Sequence, residues 1–337
     1  MKTRVEHIWQ LLDQGDLDGA TESLQKLRRD APRVPEVVAI GGALLAASGE
    51  PEEAVEAFFS AWKLAPEVGA RYLIDAAELQ LYALDDPEAA IESCVRALDI
   101  TVNEDELIDA VLLQSEALIG LGDQDERARA LLAELDGCSI EEPALLCRAG
   151  DQYAVMGDLE SAARLFQQAI EIDDSWADAH HGLGLIHEAR DEPEAKVSAW
   201  LRVRELDLAG ARPPWHLSDA DIEEQVEEAL SELPDEVRLR LVNVPMFVED
   251  APDVQQVREG IDPRLLGLFS GLPLPYQSTV VDGQVPTLER IQLFARNLER
   301  VSQNREHFCH ELRITVLHET AHFFGLEDSD LDHLGLG

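Results

Sequence analysis

A short turn recurs at a nearly constant interval through the first two thirds of the chain. Each turn is a glycine or aspartate followed by an acidic residue, and the turns begin at positions 15, 49, 85, 122, 157 and 191. The successive intervals are therefore 34, 36, 37, 35 and 34 residues. A period of this length is typical of helix pairs that bury their apolar faces only against neighbouring pairs. The sequence thus predicts a stack of two-helix units.

The second and fifth units carry the clearest version of the pattern. Their small and bulky positions are Gly42, Leu45, Gly49, Ala54, Phe58, Ala61 and Pro66, and Gly150, Tyr153, Gly157, Ala162, Phe166 and Ala169. Small residues permit close helix crossing, and the phenylalanines fill the gap to the next unit. In period and pattern the segment resembles the tetratricopeptide repeat family. The resemblance implies an all-α superhelix of about six units whose concave face binds a peptide segment or a partner protein.

Two units depart from this pattern. In the fourth unit Arg127 stands where alanine is expected, which leaves the packing of its helices open. The sixth unit contains a group of possible metal ligands: His180, His181, His187 and Glu188. However, His187 occupies the bulky position of the unit's first helix, and Asp191 stands where a second motif histidine would follow Glu188. For this group we predict helix packing rather than metal binding.

The charge of the chain bears on its partners. It has 27 Lys+Arg against 68 Asp+Glu, a formal net charge of −41, and the acidic residues are spread over both halves. The mean field of such a chain repels a phosphate backbone, so we expect no nucleic acid partner. The acidity mildly favours a basic segment on the repeats, although an acidic face is more often only solvated. The alternative use of the repeats is as a spacer or an oligomerisation arm.

The lack of a signal peptide or membrane-spanning pattern, together with the cysteine spacing, predicts a soluble, cytoplasmic protein with no membrane partner. The N-terminal segment is charged but lacks the apolar stretch of a signal peptide, and no run reaches the roughly eighteen apolar residues of a membrane span. The cysteines lie far apart without CxxC spacing, which favours reduced, mostly buried thiols over a metal or disulfide framework. They are Cys94, Cys138, Cys147 and Cys309.

The repeat pattern fades after Leu206, and a proline-containing break follows. Pro213 and Pro214 remove backbone donors and disfavour helix. Ser218, which acidic residues follow, then predicts the capped start of a new helix that ends near Leu233. We therefore assign residues 1–210 to the repeats, 211–217 to a linker and 218–337 to a second domain.

The second domain mixes strand and helix patterns. Three segments are rich in β-forming residues: 241–250, 279–285 with its Asp-Gly turn, and 290–295. Pro245 suits an edge position, and 291–294, if it lies at a sheet edge, would pair with an extended substrate. A closing helix is expected from about Arg305 to Phe324. These patterns predict a small α+β domain.

The closing helix carries the most specific motif of the chain, HExxH. His318 and His322 are four residues apart, so on a helix their imidazoles lie one turn above each other and can bind one metal ion. Glu319 lies beside them, where it can hold an activated water without becoming a ligand. A catalytic zinc site needs three protein ligands and one open position. The third ligand must therefore follow the helix.

The residues after the motif provide candidates for that ligand. Gly325 can adopt the left-handed conformation that ends a helix, and Asp328, ten residues after His318, would then turn back toward the metal. The other candidates are Glu327, Asp330 and His333. Glu311 lies seven residues before His318 on the same helical face, where it would either brace an imidazole or simply be solvated.

Several segments besides the motif share a pattern with a known family. They are 226–230, 233–234, 243–244, 248–250, 265–269, 271–274, 291–294, 315–319, 322–325 and 330–332. From about Leu217 to Leu334 the chain resembles the bacterial minimal zincin-like metallopeptidase family. The resemblance implies a compact zincin that uses Zn²⁺, with His318, His322 and Asp328 as ligands and a peptide as substrate. Asp328 is preferred because the family has an aspartate where longer motifs have histidine.

The predicted activity is zinc-dependent hydrolysis of peptide bonds. Glu319 would act as general base, taking a proton from water and later passing it to the leaving amine. Candidates for stabilising the oxyanion are Tyr276, His333 and Arg296. The alternative is a non-catalytic adaptor whose repeats bind a protein and whose zinc site is structural. A third hypothesis is a latent peptidase that the repeats hold shut or that awaits a partner.

Overall fold

The structure is a computed structural model that describes residues 2–101, 103–274 and 289–326. It is mainly helical. Within these ranges the chain forms seventeen α-helices, one 3₁₀ turn and three β-strands. Contacts between Cα atoms divide the chain into two compact units, Met1–Ile172 and Asp173–Gly337. None of the described helices is both long enough and apolar enough to cross a membrane.

The first unit consists of five consecutive helix pairs. Their bounds are α1 (Lys2–Asp13), α2 (Leu17–Asp30), α3 (Pro35–Ala47), α4 (Pro51–Leu64), α5 (Ala70–Tyr82), α6 (Pro87–Leu98), α7 (Glu104–Gly120), α8 (Asp125–Leu132), α9 (Pro143–Val155) and α10 (Leu159–Ile172). The two helices of each pair contact each other, the first four pairs share apolar clusters with their neighbours, and α9 of the fifth pair contacts α7. This arrangement agrees with the predicted stack of two-helix units.

The recurring turns have one backbone conformation. The first residue of all six turns has a positive φ, between 51° and 80°. Glycine adopts this conformation without strain, and it fills four of the six positions. The other two are Asp85 and Asp191, and aspartate is one of the few other residues that tolerate it. The spacing of the turns in the sequence therefore predicted the helix pairs correctly.

The fourth unit departs from the others, as expected, but in its second helix rather than at Arg127. In the first three units a fully buried alanine lies four residues after the N-cap of the second helix, as Ala20 follows Asp16. The corresponding N-cap in the fourth unit is Gln124, so the buried residue is Ala128, while Arg127 is exposed. The true departure is the length of α8, which has 8 residues and continues as a 3₁₀ turn over Ala133–Gly137.

In the second, fifth and sixth pairs an aromatic side chain of the second helix packs against a glycine of the first helix. A Cβ built on Gly42 would lie 3.2 Å from Phe58, one on Gly150 would lie 2.9 Å from Phe166, and one on Gly184 would lie 2.1 Å from Trp200. The aromatic rings are almost fully buried, with 4%, 1% and 1% of their surface exposed. The helices of a pair therefore approach as closely as the absence of a side chain allows.

We expect Gly150→Ala to destabilise the first unit by about 1–3 kcal/mol, because the new methyl group overpacks the buried Phe166 ring. Urea unfolding followed by circular dichroism measures the change. Gly120→Ala is the matched control, since Gly120 is also helical but has no neighbour within 4 Å of an added Cβ. The control should be neutral or slightly stabilising. Equal losses in the two variants would contradict the assignment.

The second unit contains the sixth helix pair and all three strands. Its elements are α11 (Ala177–Ala189), α12 (Pro193–Ala209), α13 (Asp219–Ser231), α14 (Asp235–Leu241), β1 (Met246–Glu249), α15 (Val254–Arg258), β2 (Gly267–Ser270), β3 (Arg290–Phe294), α16 (Ala295–Val301) and α17 (Arg305–Phe323). The two compact units thus divide within the repeats, after Ile172. The assignment of 1–210, 211–217 and 218–337 from the sequence pattern stays a prediction.

Two helices of this unit begin where the sequence predicts them, although α13 ends at Ser231 rather than near Leu233. The first, α13, is preceded by Ser218, whose hydroxyl accepts from the Asp221 backbone N–H, and the Asp221 carboxylate accepts from Ser218 in return. The second is α17. In contrast, the predicted strand over 241–250 is only four residues long, and Leu241 belongs to α14. The predicted hairpin at 279–285 lies outside the described residues.

The strands form one mixed sheet in the order β1-β3-β2. β1 runs parallel to β3, with Met246 opposite Ile291, and β2 runs antiparallel to it, with Gly267 opposite Leu293. β3 is therefore central, and the hypothesis that 291–294 lies at an edge and pairs with substrate is wrong. Pro245 directly precedes β1, which is an edge strand as predicted for this proline.

Both faces of the sheet are covered. On one face Ile291 and Leu293 join an apolar cluster with residues of α13, α16 and α17. On the other face the side chain of Gln292, which is 1% exposed, accepts a hydrogen bond from Gln256 of α15, and α15 contacts α12. The sixth helix pair is thus part of the layer that covers the second face.

The sixth pair differs from the others at its small position. Four residues after the N-cap Glu192 stands Lys196, whose ammonium lies 4.7 Å from the centre of the Trp200 ring and 3.1 Å from Glu188. A Cβ on Gly260, which follows α15, would lie 3.1 Å from the same ammonium. The position that is buried alanine in several earlier pairs here faces the C-terminal part of the chain.

Candidate metal centre

The helix that carries the HExxH motif is fixed at its start and along one face. The Asn304 side chain accepts from the His307 backbone N–H at 2.9 Å and caps the helix. Phe308, Leu312 and Val316 are fully buried and belong to the apolar cluster beneath the sheet. The motif therefore lies on the last turns of a helix that the core holds in place.

The two motif histidines face each other. Their Nε2 atoms are 2.9 Å apart, and the ring planes cross at 81° with the centroids 4.5 Å apart. Nδ1 of His322 donates to the Leu326 carbonyl at 3.0 Å. A carbonyl can only accept, so this bond requires the proton on Nδ1 and leaves the lone pair of Nε2 toward His318.

The turn that ends the helix supplies that carbonyl. Gly325 has φ +84°, its N–H donates to the His322 carbonyl at 2.9 Å, and the Leu326 N–H donates to the Ala321 carbonyl at 3.1 Å. This pair of bonds is a Schellman motif, which requires the left-handed conformation at Gly325. The prediction for Gly325 is confirmed. The turn returns the chain over His322 and so orients its imidazole.

The Glu319 carboxylate is held by the edge strand β2. Only 6% of the residue is exposed, and its Oε2 accepts from the Phe269 backbone N–H at 2.5 Å. A Cβ on Gly267 would lie 2.8 Å from Glu319 Cγ and 2.9 Å from its Oε1. The strand thus reaches the carboxylate because Gly267 has no side chain. Neither contact was predicted from the sequence, although a glycine in a strand is a known signal of close backbone approach.

The remaining predicted residues are distributed as follows. Asp328 and its alternatives Glu327, Asp330 and His333, together with Tyr276, lie outside the described residues. The Arg296 guanidinium donates to the carbonyls of Asp207 and Gly210, at 2.8 and 2.7 Å, so it is committed away from the motif. Glu311 contacts His307 Nε2 at 3.1 Å. Within residues 2–101, 103–274 and 289–326, no group of three or more His, Cys, Asp or Glu side chains is placed so that it could hold one metal ion.

The histidines of the sixth helix pair have separate partners. His181 Nε2 contacts the Asp262 carboxylate at 3.0 Å and its ring stacks on Trp200. His187 Nδ1 contacts Glu192 at 2.6 Å, and His180 Nε2 contacts the Asp174 carbonyl at 3.0 Å. These contacts agree with the packing role that the repeat pattern predicts for this group.

Comparison with known proteins finds a similarity for each part of the chain. Residues 241–337 match the zincin-like metallopeptidase family. Among curated proteins none matches the chain. The predicted resemblance of the C-terminal part to zincins is therefore confirmed over this range.

Solved structures resemble the helical part. PilW, a type IV pilus biogenesis factor, is 16% identical with a TM-score of 0.52, and the match covers 60% of this chain and 92% of PilW. PilF of Pseudomonas aeruginosa is 14% identical with a TM-score of 0.51, covering 61% and 90%. At this identity the likeness concerns the fold alone. The predicted fold class, tetratricopeptide-like repeats followed by a small zincin-like domain, is confirmed.

Proposed function

We propose that the protein is a zinc-dependent peptidase whose repeats bind a protein or peptide partner. The observation that carries the proposal is the facing pair of Nε2 atoms on His318 and His322, with the His322 tautomer set by Leu326. A ligand imidazole in a zinc site usually donates its other N–H to a carbonyl or carboxylate. The match to zincin-like metallopeptidases supports the same reading.

The two histidines fit a zinc ion. Two nitrogen ligands of a tetrahedral zinc are about 3.3 Å apart when each Zn–N bond is about 2.0–2.1 Å. The 2.9 Å between the Nε2 atoms therefore requires only a small opening of the rings. We propose Asp328 as the third ligand, because the turn at Gly325 sends the chain back over His322 just before it. A fourth position would then remain for water and substrate.

Glu319 is proposed as the general base. When bound, zinc supplies Lewis-acid activation of water and of the substrate carbonyl. The Glu319 carboxylate takes the proton of the attacking water and then passes it to the leaving amine. The Phe269 N–H donates a hydrogen bond to Oε2 of this carboxylate, so the Glu319 side chain is in position before substrate binds. Burial of Glu319 limits access of bulk water to the proton that it carries.

A partner on the repeats is proposed from the fold. Stacked helix pairs present an extended surface that suits a peptide segment. The net charge of −41 makes a basic segment the better match. Cytoplasmic location remains a prediction from the sequence.

Zinc binding by the motif histidines tests the proposal. Full-length protein is stripped with chelator, reloaded with zinc, and assayed for bound metal and for cleavage of a mixed peptide library. His318→Ala and His322→Ala should each weaken zinc binding by more than about 100-fold and abolish metal-dependent cleavage. His310→Ala, an exposed histidine of the same helix, is the control and should bind zinc normally. Unchanged zinc binding in both motif variants would overturn the proposal.

A further inference from the structure

Two residues of β2 contact the Glu319 carboxylate. The Leu266 carbonyl accepts a hydrogen bond from the Phe294 N–H of β3. Because the backbone groups of successive residues in an antiparallel strand point to opposite sides, those of Gly267 and Phe269 point away from β3. The Phe269 N–H therefore reaches Glu319 Oε2, and Gly267 lies against Glu319 Oε1. Any shift of this strand moves the donor that fixes the carboxylate.

Arg264 anchors the chain just before β2. Its side chain is 8% exposed. Nη1 donates to Asp178 of α11 at 2.7 Å, while Nε and Nη2 donate to the two oxygens of Asp207 of α12, at 2.8 and 3.2 Å. Burial alone would lower the pKa of Arg264, but Asp207 and Asp178 raise it above its ordinary value. The fork of two parallel bonds to Asp207 fixes the direction of the side chain as well as its position.

Neighbouring residues hold the same segment from both sides. Asp262 contacts His181 of α11 at 3.0 Å and accepts from the Arg264 backbone N–H at 2.8 Å. Burial would raise the pKa of Asp262, but these partners hold it below its ordinary value. Asn297, which is 2% exposed, donates to the carbonyls of Pro263 and Leu265 at 2.8 and 2.6 Å. The segment is therefore clamped between α16 and the sixth helix pair.

We propose that Arg264 is a positioning residue for the general base Glu319, acting through β2. Arg264 lies three residues before Gly267 and five before Phe269, so little chain separates the clamp from the two contacts with Glu319. The sixth helix pair thereby sets where the carboxylate lies. The catalytic meaning of this link rests on the proposed peptidase function, whereas the link itself does not.

Amide hydrogen exchange of the metal-free, full-length protein tests the link. Arg264→Gln should speed exchange of the Phe269 amide by about tenfold or more, while the buried α17 amides at Leu312 and Val316 keep their rates. Arg264→Lys should restore part of the protection. Glu319→Ala should also expose the Phe269 amide, since it removes the acceptor. Arg202→Gln is the control, because Arg202 of α12 pairs with Asp174 and Glu205 instead.

Two outcomes would overturn the inference: an unchanged Phe269 rate in Arg264→Gln, or a rise that the α17 amides share in full. If Arg264→Gln fails to fold, Asp178→Asn removes one partner only and should give the same pattern with a smaller increase. In an active enzyme, Arg264→Gln should lower kcat and leave zinc affinity unchanged. Absence of cleavage in the parent protein would refute the peptidase proposal but would leave the exchange result standing.

Discussion

Replacement of Glu319 by glutamine is expected to abolish peptide cleavage, with a loss of at least about 10²–10⁴-fold in kcat, while zinc binding is retained. Glutamine has nearly the same shape, and its side-chain oxygen can still accept from the Phe269 N–H. It cannot accept a proton from water, so only the proton transfer is removed. Initial rates with a peptide substrate and the zinc content of the purified protein measure the two effects.

A second acidic residue of the same helix provides the control for this experiment. Glu306 is exposed in the first turn of α17, far along the helix from the motif. Glu306→Gln makes the same chemical change and should leave kcat and zinc content as they are. Cleavage by Glu319→Gln at the parent rate, still lost on chelation, would remove Glu319 from the mechanism while leaving the metal site intact.

Deletion of the sixth helix pair is expected to unfold the C-terminal part. The fragment 211–337 lacks Asp178 and Asp207, so the buried Arg264 loses both acidic partners. Each hydrogen bond to a charged group contributes about 1.5–3 kcal/mol, so the loss of these bonds is a large part of the total stability of a typical domain, about 5–15 kcal/mol. Arg296 also loses its carbonyl acceptor on Asp207.

Urea unfolding of the fragments 211–337 and 173–337 measures this effect. The longer fragment should unfold cooperatively, and the shorter one should have a much lower midpoint or no transition. Arg264→Gln in the longer fragment is the matched variant, because it removes the same charged hydrogen bonds while α11 and α12 stay in place, and it should lower the midpoint by part of the difference between the fragments. Equal midpoints for the two parent fragments would show that α11 and α12 are dispensable for folding.

The features that the sequence predicted correctly are local. The turns could be located because a left-handed residue at each start favours glycine or aspartate. The bounds of α17 follow from Asn304 at its start and Gly325 at its end, both of which act through nearby backbone groups. The facing histidines follow from helical spacing alone. Each of these depends on residues within one or two turns of one another.

The features that it missed depend on distant segments. The central place of β3 is set by its pairing with β1 and β2. The sequence does not show which strands pair, because the pairing uses backbone hydrogen bonds that nearly every residue can form. A clue was present, since 291–294 contains three large apolar residues in four positions, as buried strands do. The contact between Phe269 and Glu319 joins residues 50 apart through a backbone N–H, which every residue except proline has. The sequence feature that indicates this contact is Gly267, whose missing side chain lets the strand approach Glu319.

The lysine at the small position of the sixth pair restricts how this protein can lengthen in evolution. Repeat arrays usually grow by duplicating a unit, because each unit offers its neighbour the same surface. Lys196 occupies the small position of this surface and contacts Trp200 and the turn at Gly260. A copy inserted behind this pair would separate the lysine from Gly260, whereas a copy inserted earlier would leave this contact in place. Gains and losses of repeats among descendants of this gene should therefore fall ahead of the sixth pair.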